Sequence, residues 1–138
     1  MVKFIAKNKV RMHDTDMAQR LYFTRQYRFA NDALEDLMEL EGMNYDRTFR
    51  EERFAFVIVH SEADYFANLH VGDVIVVETE VEYIRSTSFA FFYKLLRNGI
   101  CVGTVQTVHV TINLDTHQKI PIPDKLRSTL EKYLMVRQ

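Results

Sequence analysis

One stretch of this chain is written in a helical period, and nearly all the rest alternates as strands do. From Tyr22 to Glu41, Phe23, Tyr27, Ala30, Leu34, Leu37, Met38 and Glu41 recur at intervals of three and four, which predicts one helix of about 20 residues, roughly 30 Å long. Gly42 follows where a left-handed helix cap is expected. Residues 3–12 read as a strand. After the polar segment NYDRTFREER, Phe54 to Phe66 is a β-branched and aromatic run, and Val71-Gly72-Asp73 reads as a turn. Ile75, Val77, Thr79, Val81 and Tyr83 then alternate with Val76, Glu78, Glu80 and Glu82, so the glutamates mark a solvent face. Residues 87–97 and 100–114 flank Asn98-Gly99, a strong two-residue hairpin signal. Gly103, inside the last strand, predicts a bulge or the close approach of another backbone. Pro123 opens a short terminal helix with Leu126, Leu130, Tyr133 and Leu134 on one face.

The order is strand, long helix, four long strands joined as hairpins, short helix. Strands in sequence form an antiparallel sheet, and a lone long helix buries its apolar stripe against one face of it. We therefore expect an α+β fold, with residues 1–138 as a single domain. The second sheet face and its edge stay partly apolar, which predicts at least a dimer.

Composition removes several function classes. The four glycines stand apart at 42, 72, 99 and 103, so no glycine-rich phosphate loop is present. Eighteen Lys and Arg against nineteen Asp and Glu give a net charge of −1 without a basic stripe, so no nucleic-acid partner is expected. A single cysteine, Cys101, forms no internal disulfide and suits a reducing compartment. Nowhere do about 20 apolar residues run together. A cytoplasmic protein with no membrane span is the expectation. His60, His70, His109 and His117 fall singly, without metal-ligand spacing, and no metal or other cofactor is expected.

The densest chemical signal is His13-Asp14-Thr15-Asp16, just before the helix. These residues can simply cap or turn the chain. A metal-binding D-x-D pair of the haloacid-dehalogenase type needs a Thr or Val two residues after the second Asp, where Ala18 stands. A third reading places a carboxylate at the helix start, where the positive end of the dipole stabilises negative charge and free N–H groups can hold an oxyanion.

The segment VRMHDTDMAQRLYF resembles the signature of the hotdog-fold acyl-CoA thioesterases, the 4-hydroxybenzoyl-CoA thioesterase-like family, in which R-x-x-x-D-T-D-x-x-G-x-x-Y precedes the long helix. The likeness extends through FVIVHSEADYFANLHVGDVIVVETEVEYIRSTSFAFFYKLLRNG to NLDTHQKIPIPDKL and covers nearly the whole chain. It implies a hotdog fold, an antiparallel sheet wrapped around one central helix, paired into a homodimer or homotetramer with active sites between subunits. It further implies an acyl-CoA thioesterase that yields a carboxylic acid and free CoA. On that resemblance Asp16 is the catalytic carboxylate, as nucleophile or general base, and the backbone N–H at or near Phe23 polarises the thioester carbonyl.

Substrate contacts are expected at Tyr22, Tyr27 and Gln19, and CoA contacts at Arg85, Ser86, Thr87 and Ser88. Two residues depart from the pattern. Gln19 replaces the usual glycine, so the turn must be made differently or the side chain fills space near the thioester. Phe23 stands where one bacterial branch has His, whose role therefore does not transfer; His13 is a possible substitute. Two other readings stay open. A carrier-protein thioesterase would use a basic rim of Arg20, Arg25 and Arg28, and a binding module would hold acyl-CoA without cleaving it.

Overall fold

In the computed structural model, residues 2–136 are described. Five strands form one antiparallel sheet in the order β1-β3-β4-β5-β2, where β1 is Phe4–Lys9, β2 Phe54–Tyr65, β3 Val74–Ile84, β4 Ser88–Arg97 and β5 Ile100–Asn113. The hairpins β3–β4 and β4–β5 match expectation, and Asn98 and Gly99 both take positive φ (53° and 78°) in the tight turn. The link from β2 to β3 is not a hairpin. β2 pairs with β5 at one edge and β3 with β1 towards the other, so residues 66–73 cross the sheet. Alternation along each strand reports which face is buried but not which neighbour it pairs with, and this hid the crossing.

Helix α1 spans Gln26–Leu40, preceded by a 3-10 turn at Phe23–Arg25, so the expected 20-residue helix is a 15-residue α-helix with a tighter entry. It lays Phe29, Ala30, Ala33, Leu34, Leu37 and Met38 into the sheet against Val77, Phe91, Tyr93 and Val105, all buried. Burying each large side chain contributes about 1.5–3 kcal/mol. Gly42 (φ 75°) ends the helix as expected: its N–H donates to Glu39 O, and Met43 N–H donates to Met38 O, satisfying the last carbonyls.

The polar segment after Gly42 contains a helix that polarity concealed. α2, Tyr45–Glu52, starts at Asn44, whose side chain accepts from Arg47 N–H, and turns Tyr45, Thr48 and Phe49 inward. The first strand stops at Lys9, and a 3-10 turn at Met12–Asp14 replaces its expected end. α3, Asp124–Lys132, buries Leu126 and Leu130, with Tyr133 buried just after it, while Leu134 is exposed. No helix among the described residues is long and apolar enough to cross a membrane.

Gly103 answers to both expectations at once. The register of β4 against β5 slips beside it, with Leu95 opposite Gly103 and Leu96 opposite Cys101. A Cβ on Gly103 would lie 2.7 Å from both side-chain polar atoms of Gln26 and 2.9 Å from Asp64 O. Gln26 is buried at the first turn of α1, and its Nε2 donates to Asp64 O and Thr104 O, tying the helix start to β2 and β5.

Candidate active site

The two aspartates of Asp14-Thr15-Asp16 face different surroundings. Asp14 is fully buried and gripped by Arg28, with Arg11 N–H donating to its Oδ2 at 2.8 Å. Asp16 is exposed, in a tight loop closed by the Thr15–Leu21 bridge. Its Oδ1 accepts from Ala18 N–H at 2.9 Å, which orients the carboxyl group, and among the described residues Oδ2 has no hydrogen-bond donor.

Backbone bonds fix this loop at both ends. Val10 N–H donates to Asp73 O, Leu21 N–H to Leu69 O, and Tyr22 N–H to Asp14 O. Within it, Asp16 N–H donates to Arg20 O and Gln19 N–H to Asp16 O. Gln19 adopts φ 63°, the left-handed conformation that glycine takes without penalty. The turn is therefore of the kind a glycine would make, and of the two expectations for Gln19 it is not the one in which the chain takes another path. Gln19 also lines a cleft of about 380 Å³ with Met12, Thr15, His70 and Val71 beside the loop.

Phe23 and Thr24 open the 3-10 turn, and N–H groups at a helix start have no acceptor within it. Tyr22 and Phe23 are exposed side by side, ring centroids 4.9 Å apart, and Tyr65 Oη donates to Phe23 O at 3.0 Å. Tyr27 is half-buried on the first turn of α1. Asp16 thus shares one loop and turn with Gln19, Tyr22 and Phe23, and stands ahead of the α-helix rather than at its first residue. His13 is exposed, with Nε2 3.6 Å from Asp14, the buried member of the pair. Arg28 is committed to Asp14 and Asp32, which removes it from the basic rim; Arg20 stays exposed and Arg25 half-buried.

The turn Arg85–Ser88 lies at the other end of the sheet. β1 delivers the Asp16 loop beside the start of β3, since Lys9 pairs with Val74, whereas Arg85 follows the last residue of β3. Eleven strand residues at about 3.3 Å each separate the two ends by roughly 35 Å. In the turn, Arg85 N–H donates to Ser88 O, Ile122 N–H to Ser86 O, and Thr111 N–H to Thr87 O, while the Arg85 guanidinium stacks 4.4 Å over the Tyr83 ring. One chain does not bring the expected catalytic and CoA-binding residues together.

Sequence reasoning passed over His109. It is buried on β5 at the floor of a cavity of about 280 Å³ between α1, α2 and β2. The ring packs on Phe56, Phe89 and Phe91, and burial pushes the imidazole down to about 4. Its place on the inward face of the strand alternation was the available signal.

A five-stranded antiparallel sheet wrapped on one central helix is the hotdog arrangement. The profile of the thioesterase-like superfamily matches residues 10–130. A Prochlorococcus marinus protein named 1,4-dihydroxy-2-naphthoyl-CoA hydrolase is 31% identical over 133 residues, covering 91% of this chain and 86% of that protein. The solved 1,4-dihydroxy-2-naphthoyl-CoA thioesterase from Synechocystis superposes with a TM-score of 0.87 at 25% identity, covering 94% and 96% of the two chains. Gentisyl-coenzyme A thioesterase BH1999 shares the fold, with a TM-score of 0.82 at 19% identity over 91% and 98%. The chain belongs to the thioesterase-like superfamily, and its reaction class is hydrolysis of acyl-CoA thioesters.

Proposed function

We propose that this protein hydrolyses an aromatic acyl-CoA of the hydroxynaphthoyl type, with Asp16 as the catalytic carboxylate and the Phe23 N–H as the donor to the thioester oxygen. The observation that carries this is the division of labour between the aspartates: Asp14 is spent on Arg28, while Asp16 keeps one oxygen unengaged beside an open helix start. The aromatic acyl class is supported by the relatives named 1,4-dihydroxy-2-naphthoyl-CoA hydrolase, and the 4-hydroxybenzoyl-CoA thioesterase-like branch by the resemblance of the motif around Asp16.

The reaction consumes water and releases a carboxylic acid and CoA thiol. As nucleophile, Asp16 attacks the carbonyl carbon and expels CoA thiolate, leaving an acyl-aspartyl anhydride that water then opens. As general base, it takes a proton from water, whose oxygen adds to the carbonyl, and the thiolate leaves. Single turnover in ¹⁸O-water tests the nucleophilic route, since label appears in Asp16 when water opens the anhydride at the aspartyl carbonyl and never in the general-base route. In either route a donor at the Phe23 N–H stabilises the developing oxyanion.

The functional unit in this reading is a homodimer in the cytoplasm. β2 is an edge strand whose Val57, Ile58, Val59 and Tyr65 are between 39% and 59% exposed, and such an edge pairs readily with a second copy. Antiparallel pairing of two β2 strands about a two-fold axis would bring the Phe54 end of one strand towards the Tyr65 end of the other. Tyr65 already touches Phe23. Such pairing is how the Arg85–Ser88 turn, remote from Asp16 within one chain, would approach the Asp16 of a second copy and contact CoA there.

A panel of CoA thioesters, with matched carrier-protein thioesters, tests the reading by free-thiol release. Hydroxynaphthoyl-CoA should give the highest kcat/KM. Exclusive turnover of aliphatic or carrier-protein thioesters would contradict it.

A further inference from the structure

The turn that carries the Phe23 N–H is held by little of its own. Tyr22, which precedes it, gives no side-chain cap among the described residues, and none of Phe23, Thr24 and Arg25 is buried. Capping and packing, which ordinarily fix a helix start, therefore contribute little here. Within the turn, Arg25 N–H donates to Tyr22 O at 2.8 Å, which sets the peptide plane that contains the Phe23 N–H. The next plane, between Phe23 and Thr24, is set from the sheet: Tyr65 Oη donates to Phe23 O at 3.0 Å.

Tyr65 is the last residue of β2 and pairs with Gly103 of β5. One residue earlier, Asp64 O accepts from Gln26 Nε2 at 2.8 Å, and Gln26 is 2% exposed. The end of β2 thus grips the helix start at two points, Gln26 through its buried amide and Phe23 through its carbonyl. The Gln26 bond fixes where α1 begins, and the Tyr65 bond fixes how the residues ahead of it are turned. With the peptide planes on both sides of Phe23 pinned, its φ and ψ have little freedom, and the N–H keeps one direction before substrate arrives. Burial pushes the Tyr65 phenol above its ordinary value, with the Tyr27 phenol and the Asp64 carboxylate adding to the shift. The hydroxyl therefore stays a donor through neutral pH.

We propose that Tyr65 is a positioning residue for thioester hydrolysis: through Phe23 O its hydroxyl holds the turn in the orientation from which the Phe23 N–H meets the thioester oxygen. This rests on the reading of Asp16 and Phe23 given above. An oxyanion donor helps only while it points at the charge that develops, and a misplacement of about 1 Å costs up to about 100-fold in rate. Loss of the hydroxyl leaves the Phe23 N–H present but free to swing. The rate then falls by less than the loss of a donor would cause, about tenfold in kcat. KM stays near its wild-type value, because the bond serves a contact made in the transition state and not the grip on CoA or the acyl group.

Tyr65→Phe in the full-length protein removes that one donor and keeps the ring. With the best aroyl-CoA substrate, kcat should fall about tenfold, KM should stay within about twofold, and the urea midpoint should hardly move. Placing 4-aminophenylalanine at position 65 restores a donor at the same point of the ring and should recover most of the rate. A Tyr65→Phe enzyme with unchanged kcat, or one that loses kcat/KM through KM alone, would overturn the proposal; so would a rate that 4-aminophenylalanine fails to restore. Asp16→Asn tests the parent reading separately. A slow Asp16→Asn beside a fully active Tyr65→Phe removes only the role of Tyr65 and leaves the carboxylate assignment standing, whereas full rates in both overturn the two together.

Discussion

Arg28 holds Asp14 by two parallel hydrogen bonds, Nε to Oδ1 at 2.8 Å and Nη2 to Oδ2 at 2.6 Å. Burial of Asp14 pushes its carboxyl up, but the bonds from Arg28 and the Arg11 N–H, with the Arg28 charge, outweigh it, and the group lies below 3.8. A carboxyl held low in the folded state adds stability above its unfolded value, and that stability fades as pH falls through the folded value. Stability should therefore drop on acidification below about pH 4. Asp14→Asn should lower it at neutral pH by about 3 kcal/mol and flatten the acid limb. Urea midpoints across pH, at one protein concentration, measure both effects; the slope that remains belongs to groups such as Glu41, which Lys132 holds low.

Gln19 occupies a conformation that costs a side chain about 1–2 kcal/mol. Gln19→Gly removes the strain but gains chain entropy when unfolded, so a net stabilisation of about 0.5–1 kcal/mol is expected. A higher urea midpoint with an unchanged slope checks it. Gln19→Val should instead destabilise, since a β-branched residue tolerates positive φ least.

Gly103→Ala drives a methyl group against Gln26 and Asp64 O. A loss of about 1–3 kcal/mol is expected from overpacking. Since Gln26 anchors the start of α1, amide exchange should quicken there before it does in β3 or β4.

Much of the fold was readable because its signals are local. The apolar stripe of α1, the Gly42 cap, the Asn98-Gly99 turn and the Gly103 irregularity each rest on a few neighbouring residues. Strand partners are set by which edges meet across the core, so the crossing from β2 to β3 left no local trace. α2 escaped because only Tyr45, Thr48 and Phe49 face inward among charged neighbours. At the site, Asp16 stood out through its family motif, yet the split between a buried Asp14 and an exposed Asp16 required the Arg28 contact, fourteen residues further on. His109 gained meaning only beside Phe56, Phe89 and Thr107, which other strand positions supply.

A site shared between subunits predicts complementation. Asp16→Asn and Arg85→Ala, each impaired alone, should recover activity when unfolded, mixed and refolded together. Random pairing gives half heterodimers with one intact site each, so about a quarter of the wild-type rate should return. A charge on the β2 edge, Ile58→Lys, should yield monomers by light scattering together with loss of activity.

The most direct test of the central claim is the rate of Asp16→Asn on the best aroyl-CoA, read beside its urea midpoint. Asp16 is exposed and among the described residues its side chain bonds to Ala18 N–H alone, so stability should change by less than about 0.5 kcal/mol. We predict that kcat falls at least about 100-fold while the protein stays folded and dimeric. A variant that keeps the full rate, with Asp16→Ala doing the same, would contradict the assignment of Asp16 as the catalytic carboxylate.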